Sequence, residues 1–189
     1  GLKDVETAQG KIRDMIDSQL GSVLGSYNLD NLINVEPGDA TQRSYAIAVD
    51  IGTTTIYGQV IDLITGEVLA EHGEFNGQIS YGEDVISRIV YAEKAGGLER
   101  LHAVVVSTIN GVLKKIVKRS KVDPDDISTI TLAGNTTMTQ LMLKVNPRYI
   151  RRAPYVPAAT LYPPMKAVSL GLDLGEHVIA LVYPAVSSY

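Results

Sequence analysis

The sequence predicts an α/β fold: a mixed five-stranded sheet with flanking helices, preceded by a short helical segment. Three observations carry this. Short β-branched runs end in turn signals, two longer stretches repeat apolar residues at helical spacing, and a polar break separates the first 44 residues from the rest.

The elements follow in order. Over residues 4–24, Val5, Ile12, Met15, Ile16, Leu20, Val23 and Leu24 form an apolar stripe near the 3.6 period. Glu36-Pro37-Gly38-Asp39 breaks that pattern, and the polar stretch to Ser44 reads as a linker. Residues 1–44 are thus a linker or helical cap, and 45–189 the main domain. Tyr45–Asp50 is a short apolar strand ending in an acid. Ile56–Leu63 is the next strand, and Thr65-Gly66 turns the chain into a third, Glu67–Phe75. Their short connections predict an antiparallel meander. Helices are expected over Tyr81–Ala95, stopped by Gly96-Gly97, and over Leu98–Arg119. Lys114, Lys115, Lys118, Arg119 and Lys121 gather at the end of the second helix, where cations complement its carbonyls. Ile127–Ala133 is a fourth strand, and Met138–Lys144 a short helix opened by Thr136-Thr137. Five prolines between 146 and 175 predict an irregular excursion, and Val178–Tyr183 is the fifth strand.

Composition narrows the function classes. The 189 residues carry a net charge of −4, no cysteine and three histidines. No disulfide, thiolate zinc site or iron–sulfur cluster can form without cysteine. A mildly acidic chain lacks the clustered Lys and Arg that general nucleic-acid binding needs, so no nucleic-acid partner is expected. No apolar run approaches the ~20 residues of a membrane span. The N-terminus shows no basic region leading into an apolar stretch, so a cytoplasmic location is expected.

The chemistry-bearing segment is Ala48-Val49-Asp50-Ile51-Gly52-Thr53-Thr54-Thr55. An acid ends a buried strand, a glycine permits a close turn, and three hydroxyl residues line it. Backbone N–H groups with the hydroxyls of Thr53, Thr54 and Thr55 suit phosphate oxygens. The Asp50 carboxylate suits a hydrated magnesium ion. The turn joins two strands instead of entering a helix, so it is not a Walker loop. The alternative reading is a plain Asp-Gly hairpin with solvated threonines.

The order of elements around this turn resembles one ribonuclease H-like lobe of the actin-like ATPase superfamily, which includes heat-shock chaperones and sugar kinases. The Asp50–Thr55 turn resembles its first phosphate motif. Asn76-Gly77-Gln78 with Tyr81-Gly82-Glu83-Asp84-Val85-Ile86-Ser87-Arg88-Ile89, then Ala133-Gly134-Asn135-Thr136-Thr137-Met138, then Arg152-Ala153-Pro154-Tyr155-Val156-Pro157, point to one branch. Together they resemble the ATPase part of the reductive activators of corrinoid proteins, from about residue 45 to the end.

The resemblance implies a function. Such an activator couples ATP hydrolysis to delivery of one electron, returning cobalt(II) to cobalt(I) in the corrinoid protein of a methyltransferase system. The electron passes through an iron–sulfur cluster, here expected in a domain outside this chain. ATP and Mg are the implied ligands, and a homodimer stays open. The family's second phosphate motif and adenosine motif are not found after Val178, so the chain is expected to be one lobe with little ATP turnover alone. A sugar-type kinase, an acyl-CoA dehydratase activator and a non-catalytic partner-binding module are the rival functions.

Site residues follow from the resemblance, each beside a plainer role. Asp50 and Asp84 are the candidate catalytic residues. Asp84, with Glu83, matches an acidic segment that holds substrate hydroxyls in sugar kinases, and could instead be helix-start charge. Gly52, Thr53, Thr54, Thr55, Gly134, Asn135, Thr136 and Thr137 are the candidate nucleotide contacts. Asn135 and the threonines after it also suit a helix N-cap. Gln78, Arg151 and Arg152 are candidate partner contacts. Arg88 is expected to pair with Asp84 at i,i+4.

Overall fold

The computed structural model describes residues 43–185. The helix expected over 4–24 lies outside them. Seven residues of β1 (Tyr45–Ile51) run beside β2 (Thr55–Asp62), which pairs with β3 (Val68–Phe75). Both pairings are antiparallel, so the expected meander forms. β4 (Ile127–Gly134) lies on the other side of β1 and runs parallel to it. Beyond it come β6 (Ile179–Val182), parallel to β4, and β5 (Met165–Lys166), antiparallel to β6. The strand order is β3-β2-β1-β4-β6-β5.

The sheet therefore has six strands, not five. The added β5 sits inside the proline-rich excursion. Two residues after Pro163-Pro164 are too few to show a period of two, so no alternation could announce it.

Alternation decides which face of the sheet is covered. Ile47, Val49 and Ile51 of β1, Ile56 and Val60 of β2, and Ile130 and Leu132 of β4 are buried, while Asp50 and Tyr57 between them are exposed. Helix α2 (Gly97–Ser120) packs on this face. Its stripe of Leu101, Val105, Ile109, Val112, Leu113 and Ile116 is buried at helical spacing. Each such side chain contributes about 1.5–3 kcal/mol of apolar burial. Val112 and Ile116 reach β2 at Gly58, where a β-carbon would crowd them.

Two helix limits differ from expectation. The helix expected from Tyr81 starts later, as α1 (Val85–Ala92), because the Asp84 side chain caps it by accepting from the Ser87 N–H at 2.8 Å. Gly77–Tyr81 is a separate 3₁₀ turn capped by Asn76. The Gly96-Gly97 pair does not stop α1, which already ends at Ala92, and Gly97 is the first residue of α2. A β-carbon on Gly97 would collide with the Tyr91 carbonyl oxygen, so glycine lets the two helices meet this closely. Helix α3 (Thr136–Met142) follows β4 directly, and Asn135 caps it by accepting from the Met138 N–H at 2.9 Å. Among the described residues, no helix is long and apolar enough to cross a membrane.

Candidate functional site

β1 and β4 are parallel neighbours, so their carboxyl ends lie side by side, with Ile51 opposite Gly134. This brings the two main motifs together. Asp50 ends β1 exposed, beside Ala133 of β4 in register. Gly52-Thr53-Thr54 then loops into β2, and Gly134-Asn135 leads from β4 into α3. Open α/β sheets bind ligands at this end of their strands.

The loop is tight. A β-carbon on Gly52 would collide with the Thr55 carbonyl oxygen, so only glycine closes this turn undistorted. Thr53 is half-buried, and Thr54 and Thr55 are exposed. Asn135 bridges the two motifs directly, its Nδ2 donating to Thr53 Oγ1 at 3.1 Å. That hydroxyl accepts and keeps its own hydrogen to donate elsewhere.

All three loop carbonyls are held from behind. Asn76 Nδ2 donates to the Gly52 oxygen at 2.9 Å, and the Asn76 N–H donates to the Thr54 oxygen at 2.8 Å. Arg88 Nη2 donates to the Thr53 oxygen at 2.6 Å. The peptides here are trans, which sets each C=O opposite the next residue's N–H. The N–H groups of Thr53 and Thr54 therefore face away from Asn76 and Arg88. Successive outward N–H groups form an anion-binding concavity.

The anchors are themselves buried. Asn76, Gln78 and Arg88 have no exposed surface. Asn76 Oδ1 accepts from the Gln78 N–H at 3.0 Å. Gln78 Nε2 donates to the Leu101 carbonyl of α2 at 2.9 Å, and its Oε1 accepts from Arg88 Nη1 at 3.2 Å. Arg88 Nε donates to the Gly82 carbonyl at 2.8 Å, and Nη1 also lies 3.1 Å from Met138 Sδ in α3.

The chain belongs to the RACo middle region family. Its family model matches residues 45–189. The corrinoid activation enzyme RamQ of Eubacterium limosum is 34% identical over 129 residues, covering 67% of this chain and 22% of that enzyme. A solved reductive activator for a corrinoid, iron-sulfur protein superposes with a TM-score of 0.78 at 42% identity, over 83% of this chain and 25% of that one. The chain thus spans about a quarter of the length of the relatives it matches. The family places the fold as the actin-like ATPase type, as its motifs implied.

Within this RACo-type domain, some expected site residues take other places. Gln78 was expected among the partner contacts, but it is fully buried and its amide is engaged by Leu101 and Arg88. Arg88 does not form its expected pair with Asp84; its guanidinium turns inward to Gly82, Gln78 and Thr53. Asp84 is exposed at the start of α1 and accepts from both the N–H and the hydroxyl of Ser87. Those two bonds hold its carboxyl below the usual carboxylate range. Arg151 and Arg152 both reach Glu93 Oε2, at 2.7 and 3.0 Å, fastening the 3₁₀ turn Pro147–Arg151 beside the end of α1. The hydrogen bond from Arg151 is the main cause holding Glu93 below the usual carboxylate range. Thr136 and Thr137 are buried in the first turn of α3, and Thr137 Oγ1 has no hydrogen-bond partner among the described residues.

Sequence reasoning gave no site role to Asn76 or Arg88. A signal for Arg88 was present: it shares the inward face of α1 with Val85, Ile89 and Ala92, at helical spacing. An arginine on an apolar stripe marks a buried cation with backbone acceptors.

Proposed function

We propose that this domain forms one side of a nucleotide site in an ATP-dependent activator that reduces a corrinoid protein from cobalt(II) to cobalt(I). One observation carries the nucleotide reading: three consecutive loop carbonyls are turned inward at the carboxyl end of β1, so the intervening N–H groups are turned outward. The names of both relatives supply the corrinoid side of the reading.

The donor set fits a magnesium-bound nucleotide. Exposed hydroxyls on Thr54 and Thr55, the free hydrogen of Thr53, and the N–H groups of Thr53 and Thr54 all offer donors to phosphate oxygens. Asp50 offers an exposed carboxylate at the same edge, which would hold magnesium through its water shell. When bound, magnesium neutralises charge on the phosphates. Gly134 and Asn135 would wall the same cleft, and Asn135 fixes the orientation of Thr53 Oγ1. Asp84 would act as a carboxylate facing the cleft, held in place by its two bonds from Ser87. The one electron per cobalt would come from an iron–sulfur cluster ligated outside this chain, which supplies no thiolate. A second lobe in the same protein would complete the adenosine and phosphate contacts. Arg152 and Arg151 would flank the docking surface for the corrinoid protein, in its methyltransferase system.

The test is cobalt reduction by the whole activator, followed by the absorbance change of the corrinoid with a low-potential electron donor and Mg·ATP. Asp50→Asn is expected to remove the ATP-dependent part while leaving corrinoid-protein binding intact. Unchanged ATP-dependent reduction in that variant refutes the assignment. Phosphate transfer to a small hydroxylated substrate would instead identify a kinase.

A further inference from the structure

Among the described residues, Arg88 is the largest fully buried side chain, and it carries a full charge. A buried cation is costly unless it is paired. Here its acceptors are neutral: the carbonyls of Gly82 and Thr53, the amide oxygen of Gln78 and the thioether of Met138. Among the described residues, no carboxylate lies within ion-pair distance of it. Asp84 acts on it only at longer range, while burial pulls the guanidinium below its usual value. The Thr53 carbonyl passes through the loop peptide to the outward Thr54 N–H. The charge therefore sits one peptide behind the donors that face the cleft.

We propose that Arg88 is a positioning residue that fixes the Gly52–Thr54 loop with its N–H groups outward, and that its uncompensated charge is balanced by the phosphates of a bound nucleotide. Two effects follow from one side chain. The short bond to Thr53 sets the loop geometry, and the low surrounding dielectric lets the cation act across the loop on an anion. The fork shape matters, since four acceptors in different directions are served by one planar group. This inference rests on the nucleotide reading above.

The experiment uses the full-length activator, with Arg88→Met and Arg88→Lys compared to the unaltered protein. Binding of a fluorescent ATP analogue with magnesium is titrated, and circular dichroism with a thermal melt reports folding. Arg88→Met is expected to weaken binding roughly tenfold to a hundredfold, because the loop loses its anchor and the phosphates lose the cation behind it. Arg88→Lys keeps the charge without the fork and is expected to fall between the two. A folded Arg88→Met protein binding within threefold of the unaltered one overturns the inference but leaves the nucleotide reading standing. Arg88→Lys no better than Arg88→Met also overturns it, because the buried charge would then contribute nothing to binding. If Arg88→Met does not fold, Arg88→Lys decides, and binding equal to the unaltered protein refutes the proposal. Failure of the unaltered activator to bind the analogue overturns both readings.

Discussion

Asn76→Ala tests how the phosphate-type loop is held. The side chain is fully buried and carries three hydrogen bonds that alanine cannot make, two with backbone groups and a long, weak one to Met138 Sδ. The bond to the Gln78 N–H is buried, so its loss strands a buried donor at about 1–3 kcal/mol. The bond to the Gly52 carbonyl is only partly buried, so water can replace part of it and its loss costs about 0.5–1.5 kcal/mol. The two backbone bonds together come to about 1.5–4.5 kcal/mol, a large share of the 5–15 kcal/mol typical of a domain. For a domain of this size that lowers the melting temperature by roughly 3–18 °C. Chemical denaturation of the 189-residue chain, followed by circular dichroism, measures it. A loss below ~1 kcal/mol would refute the claim that Asn76 ties the loop to the 3₁₀ turn behind it. Asn76→Ser, which keeps an acceptor for the Gln78 N–H, should recover part of the loss.

Other substitutions probe the same edge and its surroundings. Gly52→Ala drives a methyl into the Thr55 carbonyl oxygen and should cost about 1–3 kcal/mol, as overpacking does, with ATP affinity falling alongside in a titration of the full-length activator. Glu93→Gln should destabilise the domain at neutral pH but not in acid. The folded-state pKa of Glu93 is depressed, so its stabilising contribution is complete above the ordinary value of ~4.3 and is lost as pH falls below that through the folded value. Melting curves of both proteins should therefore differ at pH 7 and converge toward pH 3. A constant gap across that range would show that the Arg151 and Arg152 contacts carry no linkage.

Much of the fold was legible because its signals are local and periodic. The β-branched runs around Asp50 and the stripe from Leu101 to Ile116 each repeat at the spacing of their element, and each formed. The parallel alignment of β1 with β4 was not read from the sequence, and it joins Thr53 to Asn135 across some eighty residues of chain. What stayed hidden was set by tertiary partners. β5 exists only because β6 offers a ladder to two residues. Gln78 reads as an ordinary surface polar residue before a helix, and the apolar neighbours of Arg88 say that it points inward but not what it meets. Only the packing of α1 against the 3₁₀ turn and α2 reveals that Arg88 donates to Gln78 and Thr53, and Gln78 to Leu101. The Arg88 pairing with Asp84 was a sound local expectation that lost to a stronger set of buried acceptors.

The same arrangement explains why the loop can be both exposed and rigid. A surface loop of glycine and threonines would ordinarily be mobile, since its own side chains offer little to pack. Here every fixing contact is made by groups from elsewhere in the fold. Asn76 follows β3, Arg88 belongs to α1, and Asn135 precedes α3. Each takes a carbonyl or a hydroxyl from the inner side and leaves the outer donors unused. Met138 lies within contact of both Asn76 and Arg88, so α3 shares the same buried cluster. A loop fixed by three separate elements has already lost the conformational freedom that binding would otherwise remove. Its donors can therefore meet a phosphate without further ordering, which is what preorganised binding requires.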